Sequence, residues 1–572
     1  MSVRRHLTCL ALAGCTGGGP APLPVPSDPI PTDVGEGCTL SPATFDAWFE
    51  SGAASLNGAV KPANGLTFPN TSNCSFYEWS EQMFLWLTSP APARYGGDGL
   101  VLTSPAFYDV SLPDASGVRH FVPHEAGLLR PFDLRAAQRG ILDLPLLLEK
   151  GTLRALEVIP PALGPNRLPL VIDAGEREVE VAGIRAQVGA TPLLLDAAGA
   201  PIERPRAILH SATSDLIPPF ERRLNELSRT KAIDPAELVA RFTFGETVVL
   251  LDLRGNFVET EQAQADGSVL MAQNGSLVYY AITVNNVFAW RRTQVGATVP
   301  AGTRFPTTQS DLDAITAFAA SRGEPPLIDP EALAMEIKTS WVEANSLSNP
   351  GDYLQIQAVV PSYDTSDPKD WAPNGERTVT LAMVGMHVVG STAGHPELLW
   401  GTFEYQGNDP AAAYTYTPAG SGSTNVPQDT SGTWLFCASG STGPFNVPRM
   451  GIGSGGHIVA FSGSTIGPTD ILRDRPWGRP GADATSNTEV LRLNHDVRGM
   501  LDPADVRRRY LHVGTTWTIN GAAPTSGNQV GTNDLSNTTM ETYTQGGNCF
   551  DCHVTNTTVV SHVFGETAPI PP

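Results

Sequence analysis

The sequence predicts an α+β fold: a β-rich body with several short helices and a distinctive segment near the C-terminus. Three observations carry this. Charged residues make up only 17% of the 572, while Gly (56) and Pro (49) are abundant, a balance that favours turns and short strands over long helical bundles. Five runs are β-branched and aromatic with turn residues between them, at 177–188, 247–253, 276–284, 353–360 and 377–389. Helix starts are marked by a capping oxygen, in most cases with Pro at the first helical position, where its missing N–H costs nothing. Hydrophobic residues, at 41%, are enough to bury a core.

In chain order, the first element is M-S-V-R-R-H-L-T-C-L-A-L-A-G-C, two arginines and a short apolar run ending in L-A-G-C. This pattern reads as a bacterial lipoprotein signal over 1–15 with Cys15 as the lipidated residue. Residues 16–37 read as a Pro/Gly-rich tether with nothing to pack. A globular α+β body follows over 38–545, with a possible subdomain boundary near 295–330, and 546–572 forms a terminal attachment segment and tail. No other stretch approaches 18 apolar residues, so membrane contact is expected through the lipid anchor only.

Within the body, helices are expected after Ser41-Pro42, over 74–88, after Asp234-Pro235, from Ser310 to Gly323, after Asp329-Pro330 and after Asp502-Pro503. Residues 407–432 and 519–536 read as long surface loops, and no internal repeat stands out. The segment 387–404 reads as a hairpin with a somewhat long connection, S-T-A-G-H-P. That pairing brings Trp400 and Thr402 near His387, and Glu404 near Met383 or Gly385, with Met383, Gly385 and His387 on one strand face. His387, His395 and Glu404 could form a metal or acid–base cluster, but ordinary sheet packing is the preferred reading, and no catalytic residue is assigned.

The formal charge is −21, from 37 basic and 58 acidic residues, which repels nucleic acid and anionic lipid surfaces. The one basic run, Arg507-Arg508-Arg509, reads as the exposed face of a helix. The acidity suits a basic protein partner, but plain solubility is the preferred reading of it.

The segment with chemical meaning is C-F-D-C-H at 549–553. Two thiols at this spacing reach both vinyl groups of a haem, and the adjacent imidazole reaches its iron. Cys549 and Cys552 are therefore expected to form thioethers to a single haem c, with His553 as proximal iron ligand. Cytochrome maturation outside the cytoplasm agrees with an export signal. Two alternatives use the same residues: a thioredoxin-like C-x-x-C, and a zinc site recruiting Cys549, Cys552, His562 and a distant Cys437. No Met follows His553. The sixth ligand is therefore sought upstream, with His387 as first choice, Met540 as second, and His512 and His562 behind them. Of the remaining cysteines, Cys38 and Cys74 flank the first helical region and could form a disulfide, leaving Cys437 a buried thiol.

Several blocks in order resemble uncharacterised single-haem c-type cytochrome proteins of proteobacteria, with a large body and a C-terminal C-x-x-C-H. They are W-S-E-Q-M-F-L-W (79–86), D-L-R-G-N (252–256), L-V-Y-Y-A-I-T-V-N (277–285), E-I-K-T-S-W (336–341), G-M-H-V-V (385–389), W-G-T-F-E (400–404), Y-L-H-V-G-T-T-W (510–517) and N-T-T-M-E-T-Y (537–543) leading into the cysteines. The resemblance implies haem binding and electron transfer, in a periplasmic or outer-membrane lipoprotein, and nothing narrower. Three functions remain open. The favoured one is an electron carrier serving a redox partner protein. The second is a haem enzyme of peroxidase or oxygenase type with an open sixth position, since bare electron transfer does not need 500 residues. The third is a haem-containing sensor or binding protein. No small-molecule substrate is assignable.

Overall fold

The apolar runs pair into one large sheet. The computed structural model describes most of residues 29–571. Outside the described residues lie 1–28, 112–117, 125–127, 130–145, 150–154, 209–237, 262–268, 453–455, 479–483, 546–548, 554–560 and some single or paired positions, so Cys15 and its apolar leader fall there. Among the described residues no helix is long and apolar enough to cross a membrane.

A twelve-stranded sheet forms the centre. Its main strands are β1 (Phe107–Val110), β2 (Phe121–Pro123), β3 (Tyr279–Asn285), β4 (Met335–Glu343), β5 (Gln355–Asp364), β6 (Asp370–Thr392), β7 (His395–Tyr405), β8 (Tyr510–Thr518) and β9 (Gln529–Gly531). The order across it is β2-β1-β3-β4-β6-β7-β8-β9, with β5 paired to the first half of β6. The helices are α1 (Pro42–Trp48), α2 (Asn73–Leu87), α3 (Asn286–Val295), α4 (Gln309–Ser321) and α5 (Ala484–Met500). The fold is α+β, β-rich with short helices, as the composition indicates.

The two faces of the sheet are covered differently. On the first, α2 lies flat across β6 and β7, with Phe84 stacked on Phe403 at 4.3 Å. Two glycines permit this approach: a Cβ at Gly390 would meet Trp79 at 3.0 Å, and one at Gly401 would meet Ser80 at 2.7 Å. A Cys38–Cys74 disulfide ties down the start of α2 and closes a loop with a sequence separation of 36, a constraint of about 4 kcal/mol on the unfolded chain. The second face carries α3, α4 and described parts of the C-terminal segment, around a cluster that includes Val287, Phe288, Phe305, Leu312, Trp400, Phe550 and Phe564.

Several expectations are corrected. Residues 29–37 are not a tether: Ile30 and Val34 are buried, and Val34 bridges to Pro418, because these apolar side chains find the core. The boundary near 295–330 falls inside the cluster joining α3 and α4 to the sheet. The chain instead departs over 146–261 into separate sheets of six, three and two strands with their own cluster around Val171, Leu194 and Phe242. In place of the helix after Asp234-Pro235, Leu238–Phe244 is a strand antiparallel to 247–252. After Asp329-Pro330 there is one 3-10 turn and then β4, since Met335, Ile337 and Trp341 alternate into the α2 side of the core. After Asp502-Pro503 there is likewise one turn, 506–509, then β8. Arg507 there is not exposed: its guanidinium is buried against Asp505 at 2.7 Å.

A buried pair between α2 and β8 sets a pH window. Glu81 Oε1 lies 3.8 Å from His512 Nδ1, both in the core. Burial pushes the Glu81 carboxyl up to about 8, against an opposing pull from Arg498, and burial pushes the His512 imidazole down to about 3. Between about 4.5 and 6.5 the folded pair holds one proton on Glu81 and the unfolded pair holds one on histidine, so stability is level. From 6.5 to 8 the fold alone retains a proton, and from 4.5 down to 3 the fold alone refuses one, so stability falls on both flanks, by about 2 kcal/mol each. In urea titrations from pH 3 to 8.5 this pair contributes the plateau and its two flanks, superposed on the titration of other buried carboxyls such as Glu336. Glu81→Gln should remove the alkaline flank, and an unchanged alkaline slope in that variant assigns it elsewhere.

Candidate functional site

Three successive rungs of the sheet define the site. Reading from β4 through β6 to β7, the partners are Glu336–Val389–Trp400, Lys338–His387–Thr402 and Ser340–Gly385–Glu404. Side chains at alternate positions share a face, so these rungs look toward the C-terminal segment, spaced roughly 7 Å apart. A β-bulge between Ser340 and Trp341 inverts the alternation beyond Gly385. Met383 therefore packs into the α2-side cluster, not on the face of Gly385 and His387 as a regular strand would place it. The β6–β7 connection is also tighter than expected, two residues between Thr392 and His395.

The N-T-T-M-E-T-Y segment is bolted onto these rungs by buried hydrogen bonds. Asn537 Nδ2 donates to the Phe403 carbonyl (3.0 Å), and Tyr280 Oη donates to the Thr539 carbonyl (2.6 Å). Thr539 Oγ1 lies 2.7 Å from Ser340 Oγ. Thr538 donates its N–H to Glu404 Oε2 (2.9 Å), and its hydroxyl lies 2.7 Å from that oxygen and 2.8 Å from Asp409 Oδ1. A hydroxyl has one proton to give, so one carboxyl must supply the other. Burial and the adjacent Glu404 carboxylate raise Asp409 well above the usual carboxylate range, which makes Asp409 the protonated partner. Arg473 Nη1 ion-pairs with the far oxygen of Glu404.

His387 belongs to this network. Its Nδ1 lies 2.8 Å from Thr402 Oγ1, and its Nε2 lies 3.0 Å from Glu541 Oε1. Glu541 Oε2 in turn accepts the Asn537 N–H at 2.8 Å. His395 instead meets Glu397 at 2.8 Å at the start of β7, and Glu404 is committed to Arg473 and Thr538. The three residues considered as one cluster thus go to separate partners.

Downstream, α6 (Cys549–Cys552) is a single helical turn, continued by a bond from His553 N–H to the Cys549 carbonyl at 3.0 Å. In a helical turn, positions 549, 552 and 553 share one side. Phe550 is fully buried and meets the edge of Trp400 at 6.1 Å. Cys549 is half-buried and packs against the same cluster, and the His553 ring lies 4.4 Å from the Trp400 indole, inclined by 50°. The side chain of Cys552 lies outside the described residues. The chain is pinned again by α7 (His562–Glu566). Phe564 is buried against Phe288 and Phe305, Glu566 meets Arg119 at 2.9 Å, and Ile570 N–H donates to Thr293 Oγ1 at 3.1 Å. The cysteine turn is thus a strap held at both ends over the sheet.

The other candidates are distributed as follows. Met540 is fully buried, in a cluster with Tyr280, Val384, Phe436 and Ile471 that is separate from that of Trp400. His512 lies on the opposite face, 4.8 Å from Phe403 and stacked on it. The His562 side chain lies outside the described residues. Cys437 is buried, and burial with the nearby Asp470 and Asp409 pushes its thiol up to about 12. Among the described residues no group of three or more His, Cys, Asp or Glu is disposed to hold a metal ion by itself.

This arrangement fits a covalently attached haem. Positions 549 and 552 and the His553 imidazole fall in one turn, Trp400 lies against both the His553 ring and Phe550, and among the described residues the buried Glu336 Oε2 on the Trp400 rung has no hydrogen-bond partner. Glu336, Glu541, Thr538 and Asp409 are not among the site residues expected from the sequence. Glu336 was hidden by the expected helix after Pro330, whereas Glu541, four residues after Asn537, was legible as a local Asn–Glu pairing. The chain matches no family model, no curated protein and no solved structure.

Proposed function

We propose that the protein is a single-haem c-type cytochrome, an exported lipoprotein that exchanges single electrons with a partner protein, a basic one by charge complementarity. The observation that carries this reading is the C-x-x-C-H sequence at 549–553 on one anchored helical turn against Trp400. Cys549 and Cys552 would hold the group and His553 would be its proximal ligand; once bound it supplies a one-electron couple. Trp400 restrains the plane of the His553 imidazole, Phe550 fixes the turn to the core, and the Thr538 and Arg119–Glu566 anchors keep both ends of the strap in register. His387 is the candidate sixth ligand, because its ring lies on the rung next to that of Trp400. Ligation through its Nε2 requires exchange of the bond to Glu541.

The test is the absorption spectrum of the reduced, matured protein with and without carbon monoxide. An unreactive six-coordinate spectrum that becomes carbon monoxide-binding in His387→Ala supports the carrier reading with His387 as ligand. Rapid carbon monoxide binding by the unmodified protein replaces it with the enzyme reading.

A further inference from the structure

The sheet face beneath the strap presents a carboxyl for which electron transfer alone has no use. Glu336, on β4, is half-buried as a residue, but its Oε2 is out of contact with water and, among the described residues, without a hydrogen-bond partner. Its rung runs through Val389 to Trp400, whose indole packs on His553. The Ser561 hydroxyl, where the strap returns to the body, bonds to the same carboxyl.

The charges around it do not neutralise it. Lys338 is two residues along β4, with its ammonium 5.9 Å from the Tyr280 ring centre. Arg119 and Glu566 pair with each other at 2.9 Å, and Glu541 faces His387 on the neighbouring rung. A charged carboxylate with one oxygen unsolvated is costly. Burial, with a smaller push from Glu566 against the pull of Ser561, Lys338 and Arg119, brings Glu336 up to about 7. Near neutral pH it therefore gains or loses a proton at little cost.

We propose that Glu336 is the proton acceptor coupled to electron uptake at the 549–553 site, an inference that rests on the haem reading. One electron arrives from the one-electron donor protein, and one proton moves from water onto the Glu336 carboxylate. Both leave when the site is reoxidised. The linkage is reciprocal: added negative charge beside Trp400 and His553 tightens proton binding, and a bound proton raises the affinity for the electron.

The experiment is a spectroelectrochemical titration of the matured protein from pH 5 to 9, preceded by a covalent haem stain. The expected midpoint potential falls over an interval near pH 7 with a limiting slope of about 59 mV per pH unit, the one-electron equivalent of a tenfold change in proton activity. Glu336→Gln should flatten that interval. Ser561→Ala, which keeps the carboxyl and removes a bond favouring its charged form, should move the interval to higher pH. A stained protein with a flat profile, or with the same slope in Glu336→Gln, overturns the proposal and leaves the haem reading standing. An unstained protein overturns both.

Discussion

Replacing Cys549 and Cys552 together with Ser is expected to abolish covalent haem staining on a denaturing gel, while the single variants lose the normal two-link product. The effect is close to all-or-none because a thioether needs the sulfur atom and a serine hydroxyl supplies no substitute. The variant is also informative because the fold should survive it. The strap is held by Phe550, Phe564 and the Thr538 and Arg119 contacts, none of which uses a cysteine sulfur. Circular dichroism and the urea midpoint should therefore stay near those of the parent. Full staining of the double variant contradicts the attachment chemistry. Loss of staining with collapse of the fold would instead show that the turn is a core element, contrary to the half-buried setting of Cys549.

What could be read from the chain, and what could not, follows from how far each signal reaches. Local signals held. The Ser41 cap bonds the Thr44 N–H, and Thr308 with Asp311 closes a capping box at the start of α4, two residues before the expected Ser310. The strand-like run at 377–389 and the hairpin over 387–404 anticipated β6 and the pairing of His387 to Thr402, but not the contact of His387 with Glu541. Signals that compete with tertiary structure failed. Asp-Pro is a good helix opener, yet β4 is flanked by β3 and β6 and must continue their ladder, so the helix ends after one turn. The inverted face of Met383 follows from one bulged residue, which no period-two count can foresee. α5 was legible but overlooked: Val490, Leu493 and Val497 recur at helical spacing and are buried. The polar network beneath the strap joins residues 404, 409, 473 and 538, with Ser340 bonded to the adjacent Thr539, and only the folded chain brings them together.

That network makes Arg473 the residue whose loss should cost most. Its guanidinium and the Glu404 carboxylate are almost wholly out of water, with side-chain exposures of 3% and 1%. It also lies 5.2 Å over the Trp477 ring. Arg473→Ala would leave a buried carboxylate flanked only by Thr538 donors and a protonated Asp409, and removing one partner of such a pair typically costs about 3–5 kcal/mol. The loss should be felt locally first. Glu404 would take up a proton or draw in water, either change weakens its hold on Thr538, and amide hydrogen exchange should accelerate over 537–545 before the rest of the sheet. Adding Glu404→Gln to Arg473→Ala should recover a large part of the stability, because the amide removes the stranded charge while still accepting the Thr538 N–H. If Arg473→Ala shifts the urea midpoint by less than the equivalent of about 1 kcal/mol, or if Glu404→Gln fails to rescue it, the pair is not what clamps the strap to the sheet.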